Sequence, residues 1–522
     1  MSTPDSTAQT ITQSYDEVPY DSRPFPQSHP ARSAALAKVF GLNPPDVATA
    51  RVLELGCAAG GNLIPLAAAY PGATFVGVDL SPVQIAQGTA RIAALGLTNI
   101  SLRQQSILDL SADDGVFDYI ICHGVYSWVP RPVRDAILRV SNENLSETGV
   151  AYLSYNVHPG WRLRGVLREA MLFHCDGMTN PAERVAAARA FLNELAGITD
   201  GAGAYGQMLR QEAKALASQQ DYYIVHEYLE HINEPCYVGD FLTAARGAGL
   251  AFLSEATLSM TIAETFGPEN GRRLRELSGN RLDRMEQYID FLTGRTFRQS
   301  LLVRTTQEAA IQRNLDAARM DGLFVHGQVT LAASENETFV LQDANGRTLR
   351  TQSPFVRDCL LKLAGFAPGS VPIGALASAT ATGATATPDD AAALRDALFK
   401  MMMIGMVEVT SVPLAHPCVV TDKPTANALA RADAAHGMTW TTNPRHEAVS
   451  LTVVQQAIVP LLDGTNDAGA LVAALREKVR EGAIVFQREG APLTEEGSIE
   501  TAAREHVSAA LDQIARQALL AA

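Results

Sequence analysis

The residues of this chain best suited to chemistry are two carboxylates separated by a glycine turn. Glu54 lies in Val52-Leu-Glu-Leu-Gly-Cys-Ala-Ala-Gly-Gly-Asn62, and Asp79 closes the apolar run Phe75-Val-Gly-Val-Asp79. An apolar run, a cluster of glycines and a helical pattern read as strand, turn and helix, with Gly56 and Gly60 letting the main chain approach a ligand with no Cβ in the way. A pyrophosphate at such a turn wants bare amides. Glu54 would repel it, but accepts a hydrogen bond from an ammonium. Asp79 is placed to take both hydroxyls of a ribose. No GxGxxG is present, because Ala58 and Ala59 fill the middle of the loop. An amino group at one end and a nucleoside at the other describe S-adenosylmethionine rather than a dinucleotide. The competing reading is an ordinary strand-turn-helix followed by an acid by chance.

Methyl transfer from a sulfonium is an in-line displacement, so the acceptor must be aligned and water excluded. A lysine acceptor, with a reference pKa of about 10.4, must first lose a proton. An apolar channel favours that loss, and a carboxylate or phenol can relay the proton. The reacting atoms lie beyond the carboxyl ends of the strands. Two loops are expected there, His123-Gly-Val-Tyr-Ser-Trp-Val-Pro130 and Ser154-Tyr-Asn-Val-His-Pro-Gly-Trp161. From them we expect His123, Tyr126, Trp128 and Asn156 at the reacting centre, with Tyr155, His158 and Trp161 lining the acceptor's path. Aromatic faces there would hold a cationic group; the alternative is that Trp128 and Trp161 only pack loop against helix. No residue is singled out as general base. Adenine is expected against Ser106 and Ile107, with Asp109 either helping or merely solvated. Cys57 and Asn62 from the turn, Leu80 after Asp79, and Tyr15 from the N-terminal segment complete the expected cofactor wall. His226-Glu227 reads as a surface pair, with the alternative that it reaches over the site from the helical insertion.

The elements that must position these groups follow from periodicity. Strands are expected at Val52–Leu55, Thr74–Val78, Ile100–Gln104, Phe117–Cys122 and Gly149–Tyr155, alternating with helices over 61–70, 81–95 (capped by Ser81 and Pro82) and 133–144. That alternation implies parallel βαβ units in a Rossmann-like α/β sheet. Helical patterns over 162–174, 182–196, 203–218 and 222–229 interrupt it, and strands at 250–258 and 298–304 complete it. A separate all-helical middle domain is the alternative. The proline- and aromatic-rich segment 14–30 cannot be regular structure and is expected to pack over the cofactor mouth, ahead of a helix over 31–40. Further on, strands are expected near 324–331 and 338–341, a helix near 354–364, a loose loop at 373–387, and an amphipathic helix over 389–403. The methionines at 401–403 read as core filling. Leu360-Leu-Lys-Leu-Ala-Gly365 and Val459-Pro-Leu-Leu-Asp-Gly464 are weak echoes of one another, each opening a helical module of winged-helix type. The expected domains are therefore 14–305, with an insertion over about 162–297, then 320–425 and 440–522.

The 522 residues exceed one core. A net charge of −14 argues against nucleic acid as partner and tolerates cationic targets. The six cysteines form no CxxC pair, so neither a zinc site nor a disulfide framework is indicated. No apolar run is long enough for a membrane span, and the N-terminus lacks the basic and apolar regions of a signal peptide, so a reducing cytoplasm is expected. A homodimer is compatible with the sequence.

These motifs also carry a resemblance. Ser14-Tyr-Asp16, Glu54-Leu-Gly-Cys-Ala58, Gly61-Asn-Leu63, the 123–130 loop, Ser154-Tyr-Asn156 with Pro159-Gly-Trp161, and Gln287-Tyr-Ile-Asp-Phe-Leu-Thr-Gly-Arg295 resemble class I S-adenosylmethionine-dependent methyltransferases. More narrowly, they resemble the bacterial group with a methyltransferase regulatory domain, which includes lysine methyltransferases acting on outer-membrane proteins. The resemblance covers 14–305 closely and the tail in outline. It implies that Glu54, Gly56, Asp79, Ser106 and Ile107 hold the cofactor, that lysine is the acceptor, and that the C-terminal part docks the substrate. Many class I enzymes place an acid at the position of Ser106; its absence leaves the adenine amine to a backbone carbonyl. A small-molecule N- or O-methyltransferase is the runner-up, followed by a cofactor-binding scaffold without catalysis.

Overall fold

The computed structural model describes residues 22–199, 203–380, 386–414, 420–488 and 490–521. Tyr15 lies outside them. Seven strands form the central sheet: β1 (Arg51–Leu55), β2 (Thr74–Asp79), β3 (Ile100–Gln104), β4 (Phe117–Cys122), β5 (Leu145–Asn156), β6 (Leu250–Glu255) and β7 (Phe297–Arg304). Their order is β3-β2-β1-β4-β5-β7-β6. The pairs among β1 to β5 are parallel, whereas β7 runs antiparallel to both β5 and β6. Residues 52–55 of β1 are buried. A strand covered on both faces reads as a continuous apolar run rather than an alternation, and Glu54 is its one polar interruption.

Helices α1 (Pro30–Val39), α2 (Leu63–Ala69), α3 (Pro82–Ala94) and α4 (Arg131–Glu143) cover the sheet. Ser81 caps α3 by accepting the Gln84 N–H at 3.1 Å, with Pro82 at the first helical position. Strands β2 and β3 lie on one side of β1, and β4 and β5 on the other. The crevice at the carboxyl ends of these strands is therefore a topological switch point.

Between β5 and β6, helices α5 (Gly160–His174), α6 (Pro181–Ile198) and α7 (Ala204–Ala217) and a π-turn at Val225–Leu229 gather around their own core, which includes Leu167, Val185, Leu192, Leu209 and Leu229. Helix α8 (Val238–Gly247) leads back into β6, and α9 (Pro268–Ser278) and α10 (Leu282–Thr293) lead to β7. The fully buried Arg298 of β7 joins these pieces, reaching Glu255 at 2.8 Å, Glu286 at 2.9 Å and Asp290 at 2.8 Å.

The C-terminal third departs from expectation in detail. The strand expected over 324–331 is two, Phe324–His326 and Thr330–Glu335. The expected loose loop at 373–387 begins as a helix, Ile373–Thr380, because Ile373, Leu376 and Ala377 find buried places; residues 381–385 lie outside the described residues. The strand expected to reach Leu258 ends at Glu255. In the last unit, helices Ala428–Ala435, Val453–Ile458, Ala468–Arg480 and Glu496–Arg516 surround a hairpin of Trp440–Thr442 paired with Ala448–Ser450. Leu451, Ile458, Leu471, Leu475, Val507 and Ile514 form its core. No described helix is long and apolar enough to cross a membrane.

Candidate cofactor and acceptor site

The turn after β1 is built as its glycines require. Gly56 has φ +74, and a Cβ there would lie 2.4 Å from Val125 Cγ2. At Gly61 a Cβ would lie 1.8 Å from the Ser22 carbonyl oxygen, so the N-terminal strap crosses the turn in direct backbone contact. Asp79 supports the same turn: its Oδ2 accepts the Ala58 N–H at 2.8 Å and its Oδ1 the Ser81 N–H at 2.9 Å. Glu54 is 3% exposed. Its Oε1 accepts from Asn62 Nδ2 at 2.8 Å, while its Oε2 has no hydrogen-bond partner among the described residues. Burial pushes the Glu54 carboxyl up to about 8; the Asn62 hydrogen bond opposes this, and the nearby Asp79 charge adds to it.

A cavity of about 430 Å³ opens at this turn, within the range of small-ligand sites. Of the expected cofactor wall, Glu54, Gly56, Cys57, Asn62, Asp79, Leu80, Ser106 and Ile107 all line it. Gly60 does not reach the cavity; it sits beneath the turn against Leu102 and Ile64. Ser22, Arg23 and Phe25 of the strap form part of the wall. Of the expected reacting centre, His123 and Trp128 line the cavity. The His123 ring stacks on Phe25 with centroids 3.6 Å apart, and its Nδ1 lies 2.9 Å from the Tyr152 hydroxyl. Burial pushes its pKa down to about 3, so the imidazole is neutral at physiological pH and carries no charge to give.

The remaining rim residues point elsewhere, and here the expectation is corrected. Side chains alternate along a strand, and β5 continues through Asn156. Tyr155 therefore turns into the core, stacked on Phe241 at 3.8 Å and hydrogen-bonded to Ser300. Tyr126 meets the same Phe241 edge-on at 5.3 Å. Asn156 pairs with Asn233 at 3.1 Å, His158 faces Tyr237, and Trp161 is buried edge-on to Trp128 at 6.2 Å. None of the five lines the cavity. Two residues expected at the surface do: His226 and Glu227, carried in by the π-turn of the insertion, a distortion often found at functional sites. Burial pushes the Glu227 carboxyl up to about 7, opposed by the charge of Arg164. His226 Nδ1 lies 3.2 Å from Glu230 Oε1. The local signal for Glu227 was a His-Glu pair set between the apolar Ile224-Val225 and Tyr228-Leu229.

The unpartnered oxygen of Glu54, in a buried cavity that also holds Asp79, fits a ligand bringing an ammonium to one carboxylate. A buried acid left half satisfied otherwise costs free energy. Among the described residues no cluster of metal-ligating side chains occurs.

Comparison with known proteins agrees. A methyltransferase-domain family model matches residues 52–149, a predicted methyltransferase regulatory domain matches 220–304, and the PKMT C-terminal winged helix domain matches 422–519. An uncharacterised protein of Rickettsia prowazekii is 36% identical over 490 residues, covering 91% of this chain and 88% of its own. A second protein of that organism is 40% identical over 236 residues, 45% of this chain and 94% of its own. The solved structure of PKMT2 from Rickettsia typhi in complex with AdoHcy superposes with a TM-score of 0.85 at 28% identity, covering 96% of this chain and all of that one. With its sheet order, its glycine turn and its C-terminal unit, the chain belongs to the S-adenosylmethionine-dependent methyltransferases that carry a regulatory domain and a PKMT-type winged helix domain.

Proposed function

We propose that this enzyme methylates lysine side chains of proteins. The observation that carries the reading is Glu227: a largely buried carboxylate, with no hydrogen bond or ion pair among the described residues, in the same cavity wall as Trp128. S-adenosylmethionine, when bound, supplies an electrophilic methyl group. Glu54 takes its ammonium end, Asp79 its ribose, and Ser106 and Ile107 flank its adenine. The walls contributed by Trp128, Val129 and Pro130 exclude water and disfavour a charged amine. A lysine ammonium entering them would give a proton to the Glu227 carboxylate, and the freed lone pair would be aligned to take the methyl group in line as its bond to sulfur breaks, the electron pair staying on sulfur in the S-adenosylhomocysteine that leaves. The Trp128 ring holds the cationic acceptor before, and the methylated ammonium after, that step.

The PKMT domain match and the PKMT2 likeness support a protein lysine acceptor, and a net charge of −14 suits a basic target. The test is to incubate the enzyme with labelled S-adenosylmethionine and a cell lysate, separate protein from metabolites, and hydrolyse the labelled protein. Label recovered as methyl-lysine is the expected result. Label confined to small molecules would overturn the reading and leave a small-molecule methyltransferase.

A further inference from the structure

The hairpin of the C-terminal unit reaches across the molecule to the cofactor turn. His446 sits in its loop at φ +61 and is 2% exposed. Its backbone N–H donates to the Asn443 carbonyl at 2.8 Å. Its Nε2 lies 2.7 Å from Asn62 Oδ1. Asn62 in turn holds Glu54 Oε1 through Nδ2 at 2.8 Å.

The direction of each hydrogen bond is fixed by chemistry. The backbone N–H of Phe25 also meets Asn62 Oδ1, at 2.9 Å, and a backbone N–H can only donate, so Oδ1 is the acceptor. Nδ2 then faces Glu54, and His446 must present Nε2–H to Oδ1. Burial holds the His446 ring well below its usual pKa, which fits a neutral imidazole with its hydrogen on Nε2. Around this line the same domain grips the strap. Trp440 lies under the guanidinium of Arg23 at 5.4 Å, and the His446 ring meets His29 edge-on at 5.3 Å. The Glu54 carboxylate in the cavity wall is thus the last member, through Oε1, of a hydrogen-bonded series that begins in another domain.

We propose that His446 is a positioning residue for the methyl donor. Through Asn62 it fixes the orientation of Glu54, so that seating of the winged-helix domain and affinity for the amino-acid end of the cofactor are coupled. The proposal rests on the placement of that ammonium at Glu54. Removing His446 takes the shortest of the contacts from Asn62 Oδ1 and leaves the amide to the Phe25 N–H and the Ser28 hydroxyl, and a carboxylate held by a less constrained amide meets the ammonium less well. Coupling is reciprocal: a ligand that engages Glu54 must also tighten the hairpin. A protein substrate docking on the C-terminal domain would then be read out as tighter methyl-donor binding.

The test uses two ligands and the full-length enzyme. S-adenosylhomocysteine carries the amino-acid end, whereas 5′-methylthioadenosine lacks it and keeps the nucleoside. His446→Gly suits the left-handed backbone and removes the side chain, and His446→Gln restores a donor of similar reach. By calorimetry, H446G should bind S-adenosylhomocysteine roughly tenfold more weakly and methylthioadenosine unchanged, with H446Q recovering most of the loss. In hydrogen exchange, S-adenosylhomocysteine but not methylthioadenosine should slow exchange in the hairpin, a measurement on the native chain that does not depend on how a variant folds. Equal weakening for both ligands would overturn the proposal in favour of a role in general packing, and an unchanged S-adenosylhomocysteine affinity would overturn it outright. Glu54→Gln separates the premise from the inference. If E54Q alone loses affinity, only the His446 coupling falls; if E54Q also leaves binding unchanged, the ammonium is not at Glu54.

Discussion

The carboxylate of Asp79 and the backbone N–H of Ala58 meet at 2.8 Å, so the acid proposed to take the ribose also supports the turn beneath it. Ala58 holds φ +46, a left-handed conformation that costs a residue with a Cβ about 1–2 kcal/mol. Two substitutions in this one turn should therefore differ in their effect on stability, one lowering it and the other not. Asp79→Ala should lower unfolding free energy by about 1–2 kcal/mol through the lost strut, and weaken S-adenosylhomocysteine by about 1–3 kcal/mol through the lost ribose contacts. Ala58→Gly should leave the unliganded protein unchanged or up to about 1 kcal/mol more stable. Denaturant midpoints of the unliganded proteins check the first and third effects, and calorimetry the second.

Glu54 predicts a proton linkage. In the free protein burial holds its carboxyl near 8, above the ordinary carboxylate range, so much of it is protonated at pH 7. An ammonium beside it favours the charged form and lowers its pKa in the complex. Between the two values the free protein binds more protons than the complex, so binding releases protons and affinity rises as pH increases toward 8. Above that value the carboxylate is already charged in the free protein, and the gain stops. Calorimetry at pH 7 in buffers of different ionisation enthalpy should show net proton release on binding S-adenosylhomocysteine, and E54Q should abolish it. Release that persists in E54Q would assign the proton to another group.

Much of the sheet was legible because β1, β2 and β4 are short, largely apolar buried runs bounded by turn residues; β4 matches expectation residue for residue, as does β3, a largely exposed edge strand. The cavity wall around Glu54 and Asp79 was legible because it is local, assembled from the two strand ends and the loops that follow them. The acceptor side was not. Along β5 a shift of one position reverses a side chain, and Tyr155 went to the core while Ser154 donates no aromatic surface to the site. Glu227 reaches the cavity from an insertion, and His446 meets Asn62 across 384 positions of sequence. Periodicity carries no information on how such distant pieces dock. The 373–380 helix was missed because its glycine, alanines, serine and threonine resemble a linker until the burial of Leu376 is known.

Glu227 predicts the pH dependence of turnover. Its carboxyl is held near 7 by burial, and only the charged form can take a proton from the acceptor. Turnover at saturating substrate should rise as pH increases from about 6 to 8. Glu227→Gln should remove that limb and lower kcat by about 100-fold or more, while S-adenosylhomocysteine affinity stays within about twofold of wild type. A variant that lost cofactor affinity with kcat intact would place Glu227 at the donor rather than the acceptor.

The C-terminal domain is held to the sheet by a second buried contact, and its energetics can be measured separately from the cofactor. Arg91 on α3 grips Asp433 with Nε at 3.0 Å and Nη2 at 2.8 Å, and Asp433 also accepts from the Thr441 hydroxyl at 2.7 Å. The Asp433 side chain is 2% exposed and that of Arg91 is 16% exposed. Such a pair repays its own desolvation only while both partners are present. Arg91→Ala leaves a buried carboxylate with one hydroxyl for company and should cost about 3–5 kcal/mol, whereas Arg91→Ala with Asp433→Ala removes both charges and should cost less than either the arginine change alone or the sum of the two. A double-mutant cycle on chemical denaturation gives the coupling energy. The site of failure should be the domain contact itself, seen as faster proteolytic release of the C-terminal unit in the single variants. Additive losses in the cycle would mean that the contact carries no coupling, and that the apolar surface around it seats the domain.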